Sequence, residues 1–246
     1  MDRLIYTAMT GAKHILTQQA TTSHNLANAT TTGFRAQVDQ FRAVPVQGAP
    51  LATRAYVVDS TTGSDFRSGA IQHTGRELDV AVQGAGWIAV RAPDGSEAYT
   101  RNGSLRVDEN GLLQTRDGLT VQGDGGPIAI PPGRNLALAR DGTISLVPDG
   151  SDATGLTTVG RVKLVNPPET DLVRGDDGLF RLKSGRPAPI DANVNLVSGA
   201  LESSNVNVVD EMVNMISLAR QFDMQMKIIQ SAEANDARAM QLLGLG

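Results

Sequence analysis

The C-terminal end of the chain is the feature that most limits what the chain can fold into. Apolar residues recur there alternately three and four positions apart, the spacing of one face of a long α-helix. This stripe consists of Met212, Met215, Ala219, Phe222, Met226, Ile229, Glu233, Asp236, Met240 and Leu243, and all except Glu233 and Asp236 are apolar. Mostly polar residues lie between them. The sequence therefore predicts an amphipathic helix with one apolar seam.

The start and the length of this helix can also be predicted. Asn207 can cap it, and Asp210 and Glu211 lie in the first turn, where the helix dipole favours negative charge. From Val208 to Leu243 such a helix spans roughly 54 Å at 1.5 Å per residue. A compact domain of ~120 residues has a radius of gyration of only ~14 Å. We therefore expect the helix to extend beyond one small domain and to need a partner for its seam.

A second, weaker seam lies at the N-terminal end, from Leu4 to about Asn28. Its positions are Ile5, Ala8, Ala12, Ile15, Gln19, Thr22 and Leu26. The pattern ends at residues 29–33, where consecutive threonines weaken a helix and Gly33 can supply a left-handed cap. We expect the two terminal helices to pair as a coiled coil. The alternative left open is that both pack on the central domain, as in many α+β proteins.

The middle of the chain has the pattern of antiparallel β-structure. Residues 78–82 alternate in polarity, residues 87–90 form a short apolar run, and further strand candidates follow at 137–139, 143–147, 159–165 and 179–182. Turn dipeptides separate these runs at Asp94-Gly95, Asn102-Gly103, Asn110-Gly111, Asp117-Gly118, Asp141-Gly142, Asp149-Gly150 and Asp177-Gly178. Asn-Gly and Asp-Gly between apolar runs are typical of hairpins.

These patterns predict an α+β fold with four parts. Residues 1–35 form the N-terminal helix of an assembly domain, and residues 36–75, with Pro45, Gly48 and Pro50, form an extended connector. Residues 76–200 form an antiparallel β-rich domain. Residues 201–246 form the C-terminal helix of the assembly domain.

Composition excludes several classes of function. The formal net charge is -4 and the basic residues are dispersed, so the chain has no basic face for nucleic acid. With no cysteine, it can form neither disulfides nor thiolate zinc sites. It has no run of ~18 apolar residues and no apolar core of a secretory signal. We therefore expect no direct membrane insertion and no cleavable signal peptide.

No motif in the sequence indicates catalysis or a bound cofactor. The three histidines lack the spacing of metal ligands. Residues 84–86 resemble part of a dinucleotide loop, but a strand follows where that motif needs a helix. Residues 108–111 resemble a fragment of a calcium loop that lacks its final acidic ligand. We expect no enzyme, no cofactor and no metal site.

Three separated blocks of sequence resemble the flagellar axial family, which comprises the rod and hook subunits. The first block is Ser23–Asn28 with Thr32–Arg35, the second is Leu78–Gly84 with Trp87 and Tyr99–Gly103, and the third is Gly199–Asn207 leading into Met212 and Met215. Within the family, the opening residues 1–11 and the modest length most resemble proximal rod members. Distal rod members are the next most similar.

The resemblance implies a structural subunit of the bacterial flagellum. Such a subunit is exported unfolded by the flagellum's own type III route and assembles in the periplasm into the basal-body rod, which transmits motor torque to the hook. The implied partners are further copies of the chain, other proximal and distal rod subunits, and the export apparatus. The alternatives are a distal rod or hook-type subunit, or a secreted β-rich binding or hydrolytic protein that its end helices merely stabilise.

The expected assembly interface combines the two seams with the corner after the first helix, where amides and a glycine suit contact with a neighbour. Its residues are Ile5, Ala8, Ala12, Ile15, Asn25, Leu26, Asn28, Gly33, Phe34, Met212, Met215, Ala219, Phe222, Met226, Ile229, Met240 and Leu243.

Overall fold

The computed structural model describes residues 2–45, 55–148 and 155–243. The chain folds into two units, each with its own internal contacts. The helical unit consists of Met1–Ala29, Ala36–Asp65 and Val206–Gly246, and the β unit consists of Thr30–Arg35 and Phe66–Asn205. The predicted α+β class, with a helix near each end and an antiparallel β-rich middle, is confirmed.

The helical unit contains two helices and one hairpin. Helix α1 spans Asp2–Ala27 and helix α2 spans Val208–Leu243, while strands β1 (Gln37–Pro45) and β2 (Ala55–Ser64) pair antiparallel. The helices pack against each other. Gly11 lies beside Gln225, and Asn25 contacts Glu211. Because these two contacts advance in opposite directions along the chain, α1 and α2 run antiparallel.

The ends of the helices follow from local hydrogen bonds. Asn207 caps α2 as predicted, since its Oδ1 accepts the N–H of Val209 at 3.0 Å. At the end of α1, the Nδ2 of Asn28 donates to the carbonyl of His24 at 2.9 Å. Gly33 has a positive φ of 69°, yet it lies well beyond the end of α1 at Ala27 and does not cap that helix.

The segment predicted as an extended connector contains the β1–β2 hairpin. Val, Tyr and Thr residues at 56–58 and 61–62 favour a strand, and a partner strand satisfies the backbone groups that an isolated extended segment would leave unpaired. The hairpin has a register shift between Gln40 and Phe41. Gly48 and Pro50 lie outside the described residues.

The β unit is built from short strands whose pairings are all antiparallel in the described part of the chain. They are β3 (Ile71–His73), β4 (Val80–Gln83), β5 (Trp87–Arg91), β6 (Glu97–Thr100), β7 (Leu105–Val107), β8 (Leu113–Thr115), β9 (Thr120–Gly123), β10 (Gly126–Pro127), β11 (Gly133–Leu138), β12 (Thr143–Pro148), β13 (Thr157–Arg161), β14 (Leu164–Val165), β15 (Leu172–Arg174), β16 (Phe180–Leu182), β17 (Asn195–Ser198) and β18 (Ala200–Glu202).

The strands form one large sheet and several small ones. The large sheet has the order β15-β16-β6-β5-β9-β8-β7, with β10 beside β9 and β14 beside β5, and β11-β12-β13 form a separate sheet. At the boundaries of the unit, β17 pairs with β4 and β18 pairs with β3. The last strands of the β unit therefore lie beside its first. The core between the sheets includes Val80, Ile88, Leu105, Leu113, Val121, Ile144, Leu164 and Leu196.

Two details of the predicted strand pattern are wrong. Asn102-Gly103 is not a hairpin turn, because β6 pairs with β5 and β16 whereas β7 pairs with β8. A glycine is needed there for a different reason: a Cβ on Gly103 would lie 1.7 Å from the carbonyl oxygen of Val80. The predicted strand 159–165 is divided into β13 and β14, which join different sheets. Asp149-Gly150 lies outside the described residues.

The remaining Asx-Gly turns behave as predicted. Gly95, Gly111, Gly118, Gly142 and Gly178 all have positive φ, between 78° and 89°.

None of the helices in the described ranges has the combination of length and apolarity that crossing a membrane requires.

Aspartates in the turns of the β unit accept hydrogen bonds that hold their pKa values below the usual range. The donors are the hydroxyl and N–H of Ser96 for Asp94, the N–H and hydroxyl of Thr143 for Asp141, the guanidinium of Arg181 for Asp177, and the N–H of Asn193 for Asp191. In each case the bonds favour the ionised carboxylate.

We expect the β unit to lose stability as the pH falls below ~4, where the unfolded chain takes up protons that the folded turns resist. The contribution is fully present above that pH, because a lowered folded-state pKa stabilises only the ionised form. Urea unfolding followed by fluorescence of Trp87, the only tryptophan, measures it.

A variant with Asp94, Asp141, Asp177 and Asp191 all changed to Asn is the control. It keeps an acceptor oxygen in each turn but cannot ionise there. Its urea midpoint should depend less on pH between 5 and 2.5 than that of the parent chain, and an equal dependence would contradict the assignment.

Candidate functional site

The predicted seam of α1 lies on the covered side of that helix. Ala8, Ala12 and Ile15 are buried, and Ile5 and Leu26 are half-buried. Thr22, another seam position, is also buried, and the burial of His14 and Asn25 beside the seam widens the covered face. The ring of His14 packs edge-on against Phe41 of β1 at 5.3 Å between centroids. The face of α1 is therefore covered by both α2 and the hairpin.

On α2 the covered face differs by one position from the predicted seam. Among its described side chains, the least exposed are those of Glu211, Met215, Leu218, Phe222, Gln225, Ile229 and Ala232, which alternate four and three apart. Met215, Phe222 and Ile229 belong to both stripes. The other predicted stripe positions with described side chains, Met212, Ala219, Met226, Glu233 and Met240, are exposed. The side chains of Asp236 and Leu243 lie outside the described residues.

Gly11 of α1 lies beside one of the residues that make up this difference. A Cβ at Gly11 would lie 3.4 Å from the side-chain amide of Gln225, at ordinary contact distance, so the two residues are neighbours across the helix pair. Spacing alone favours the apolar Met226 over Gln225. The one available signal was an isolated glycine inside the helical pattern of α1, since such a residue usually marks a close approach.

Asn25 joins the three elements of the helical unit. Its Nδ2 donates to the carbonyl of Gln37 at 3.0 Å and to Oε1 of Glu211 at 3.1 Å, and its Oδ1 accepts the N–H of Gln37 at 2.8 Å. The side chain therefore pairs with β1 in the way that a neighbouring strand would. Because Asn25 is buried, each of these bonds replaces a bond to water.

Gly33 and Phe34 lie in the β unit. The N–H of Gly33 donates to the carbonyl of Glu202 at 2.8 Å, and Phe34 is buried beneath the guanidinium of Arg174 at 4.5 Å from its ring centroid. Arg174 also donates to the carbonyl of Arg35 at 2.9 Å. Burial lowers the pKa of Arg174. The corner is therefore held by main-chain and side-chain contacts inside the β unit.

A buried ionic cluster lies next to this corner, and its centre is Glu202. The carboxylate accepts hydrogen bonds from Arg35 at 2.7 Å, from the N–H of Gly69 at 2.9 Å and from Arg101 at 3.0 Å. Arg101 donates also to the carbonyls at 82 and 84, which end strand β4. Burial lowers the pKa of Arg101, and the charge of Glu202 opposes that effect.

The single negative charge of Glu202 neutralises only one of the two arginines, and the ring of Trp87 lies beside both guanidinium groups. The guanidinium carbons of Arg35 and Arg101 lie 5.9 and 5.3 Å from its ring centroid. The Nε and Nη1 of Arg35 and the Nε of Arg101 are buried without a hydrogen bond. An indole ring is the most favourable aromatic partner for a cation, so its π-system stabilises the second positive charge.

The sequence does not predict this cluster as a site, although its four side chains all fall in blocks that carry the family resemblance. Arg35 ends the first block, Trp87 and Arg101 belong to the second, and Glu202 lies in the third. Three blocks that are far apart in sequence therefore meet around one carboxylate. Across the described ranges, no three His, Asp or Glu side chains come together as metal ligands would.

The Asn25→Asp substitution should destabilise the helical unit, because it removes the Nδ2 donor and sets two carboxylates 3.1 Å apart at Glu211. We expect a loss of about 1–3 kcal/mol, measured by urea unfolding with far-UV circular dichroism. Adding Glu211→Gln should recover part of the loss, because the new amide can donate to the new carboxylate. The control is Ser23→Asp, the same charge at an exposed site on α1. Equal losses in both single variants would refute the role of Asn25.

The Gly33→Ala substitution should destabilise the β unit more than Gly75→Ala. Both glycines have positive φ, of 69° and 75°. A Cβ at Gly33 would lie 2.3 Å from the carbonyl carbon of Arg101, whereas nothing lies within 4 Å at Gly75. We expect Gly75→Ala to cost about 1 kcal/mol and Gly33→Ala to cost about 1–3 kcal/mol more, measured by urea unfolding with Trp87 fluorescence. Similar losses would show that the corner can relax.

Comparison with known proteins matches three regions of the chain to family models. Residues 5–35 match the flagella basal body rod protein model, residues 81–146 the D1 domain of the flagellar hook protein FlgE/F/G, and residues 197–242 the C-terminal region of the flagellar basal body rod FlgEFG proteins.

Whole-chain relatives agree. The chain is 50% identical to the flagellar basal-body rod protein FlgF of Escherichia coli K12 and 48% identical to that of Salmonella typhimurium LT2, in both cases over all of this chain and all of the relative. It is 31% identical to the rod protein FlgG of Buchnera aphidicola (Schizaphis graminum) over 86% of this chain and 88% of the relative. The relatives are structural proteins and not enzymes. The chain belongs to the flagellar basal-body rod protein family and is most similar to its FlgF members.

Proposed function

We propose that the chain is a structural subunit of the proximal rod that polymerises through its paired terminal helices into the tube that transmits motor torque to the hook. The observation that carries this proposal is the α1–α2 pair itself. It is made from the two ends of the chain, and its covered faces repeat with steps of three and four residues on both helices. That repeat is typical of coiled-coil packing.

Apolar burial along the seam is the main source of stability for such a pair. Ala8, Ala12 and Ile15 on α1 face a stripe on α2 that includes Leu218 and Ala232, and all five are buried. At about 25 cal/mol per Å² of apolar surface, this contribution grows with helix length. Long helices suit a rod, because torque is then carried by continuous elements.

Several further features fit this role. The assembly domain corresponds to the helical unit, and the β unit would supply the outer layer and the lateral contacts of the rod. The partners would be further copies, the other proximal and distal rod subunits, and the export apparatus. Export through the flagellar channel into the periplasm would require an unfolded chain, and the absence of cysteine leaves no disulfide to form or reduce on the way.

A distal rod or hook-type subunit is the second candidate. The similarity to FlgG and the FlgE/F/G model match favour it to some degree. The FlgF relatives are more similar, and they match this chain along its full length. Electron microscopy of isolated basal bodies would show whether the protein lies in the proximal rod or in the distal rod and hook.

The Phe222→Asp substitution should abolish assembly and swimming while the β unit stays folded. Phe222 lies half-buried on the covered face of α2, where a carboxylate would lose part of its hydration. Swimming in soft agar and the presence of the protein in purified basal bodies measure the effect. Trp87 fluorescence reports on the β unit separately.

The matched control is Ser231→Asp, which places the same charge on an exposed position of α2. It should swim normally. If the Phe222→Asp strain also swims normally, the helix pair is not the polymerising element.

A further inference from the structure

The first three turns of α2 carry a second apolar stripe. Val209, Met212, Val213 and Ile216 follow the spacing of one helical face and are between 50% and 67% exposed. At 100° per residue, this face points away from the face of Met215, Leu218 and Phe222 that packs on α1. An exposed apolar stripe at helical spacing is the usual form of a helix docking surface. We call it the α2 outer stripe.

Helix α1 has an outer stripe of its own. Tyr6, Met9 and Leu16 are between 50% and 56% exposed, and Lys13 lies between them on the same face. The residues of α1 that contact α2 or the hairpin, such as Ala8 and His14, lie on the other sides of the helix. The two outer stripes therefore lie on opposite sides of the helix pair.

The two stripes are complementary in charge. From Arg3 to Ala27, α1 contains no acidic residue, and its outer stripe presents Lys13. From Val208 to Ala219, α2 contains Asp210 and Glu211 and no basic residue. Glu211 is engaged with Asn25, whereas Asp210 is exposed. The α1 outer stripe, which includes a lysine, thus matches an apolar stripe that has an exposed aspartate at its edge, about 60° from Val213 at 100° per residue.

We infer that the α2 outer stripe of one copy binds the α1 outer stripe of a second copy of this chain. The inference rests on the proposed function and specifies the surface that carries it. Because the two stripes are different surfaces on opposite sides of the pair, the contact is head-to-tail and does not close on itself after two copies. Successive copies form a wall in which α1 and α2 alternate.

The register of this contact sets an axial offset between copies. Aligning the stripes antiparallel places Tyr6 opposite Ile216, Met9 opposite Val213 and Lys13 opposite Val209, next to Asp210. Within one chain, by contrast, Gly11 lies beside Gln225. The two registers differ by about 14 residues, or roughly 20 Å along the helix axis at 1.5 Å per residue. Each added copy is therefore displaced along the axis, which generates a helical assembly and not a flat ring.

Cysteine cross-linking of the full chain tests the register, since the chain has no other thiol. Cells carry Met9→Cys with Val213→Cys in one chain, and basal bodies are purified, oxidised and run without reductant. We expect the monomer to be lost into a ladder of disulfide-linked copies. Each single variant should stay monomeric, because a disulfide needs Cα atoms within ~7 Å.

The control pair is Met9→Cys with Lys227→Cys. Residue 227 lies on the outward side of α2, but opposite Met9 only if copies stack without an axial offset. This pair should give no ladder. A ladder from it, or dimers from Val213→Cys alone, would overturn the head-to-tail, offset contact. If the cysteines cross-link to a different protein, the partner that binds the stripe is not a second copy of this chain.

A charge exchange provides a second measurement on the same surface. Lys13→Glu, in the chain with Met9→Cys and Val213→Cys, should reduce the ladder, and adding Asp210→Lys should restore it. If the cysteine chain is present in basal bodies and the cells swim but no ladder forms, the inferred contact fails and the proposed function stands. If the unsubstituted chain is absent from purified basal bodies, the proposed function itself fails.

Discussion

The buried carboxylate of Glu202 is the interaction on which the β unit depends. It gathers the segment that follows α1, the loop at Gly69, the end of β6 and its own strand β18 around one charge. Two arginines around one carboxylate would leave an excess positive charge, and the ring of Trp87 stabilises it. Removing one member of such a buried network usually costs more than the network contributes, because the remaining charges lose their partners.

This arrangement has a consequence for how the chain is organised. The β unit contains residues from both sides of the segment 36–65. Residues 30–35 follow α1, and strand β18 lies shortly before α2. The segment between them at 36–65 belongs to the helical unit, where β1 and β2 pair. Each unit is therefore completed only when distant parts of the chain are present together. Asn25 has the same role in the helical unit, where a single amide binds β1 and α2.

The structure shows why three separated blocks of sequence carry the family resemblance. The blocks that carry the resemblance are short and far apart, and nothing in their spacing shows why they belong together. In the structure, Arg35, Trp87, Arg101 and Glu202 bring those blocks into one contact. The blocks outside the cluster also have structural roles, since Asn25 joins the helical unit and Asn207 caps α2. The residues that carry the family resemblance therefore mainly make the contacts that hold distant parts of each unit together.

By itself the sequence determined the class of fold, the bounds of α2, most of the Asx-Gly turns and the family, because these depend on local spacing and on backbone preferences of single residues. Tertiary structure alone decided which face of α2 is covered, that residues 37–45 and 55–64 pair as strands, and that Gly103 is a close approach and not a turn. Met226 and Gln225 are equally compatible with a helix, and only the packing of α2 against α1 turns Gln225 to the covered face. Ion pairs between residues more than 100 positions apart leave no periodic signal in the sequence, so only the folded structure shows the Glu202 cluster.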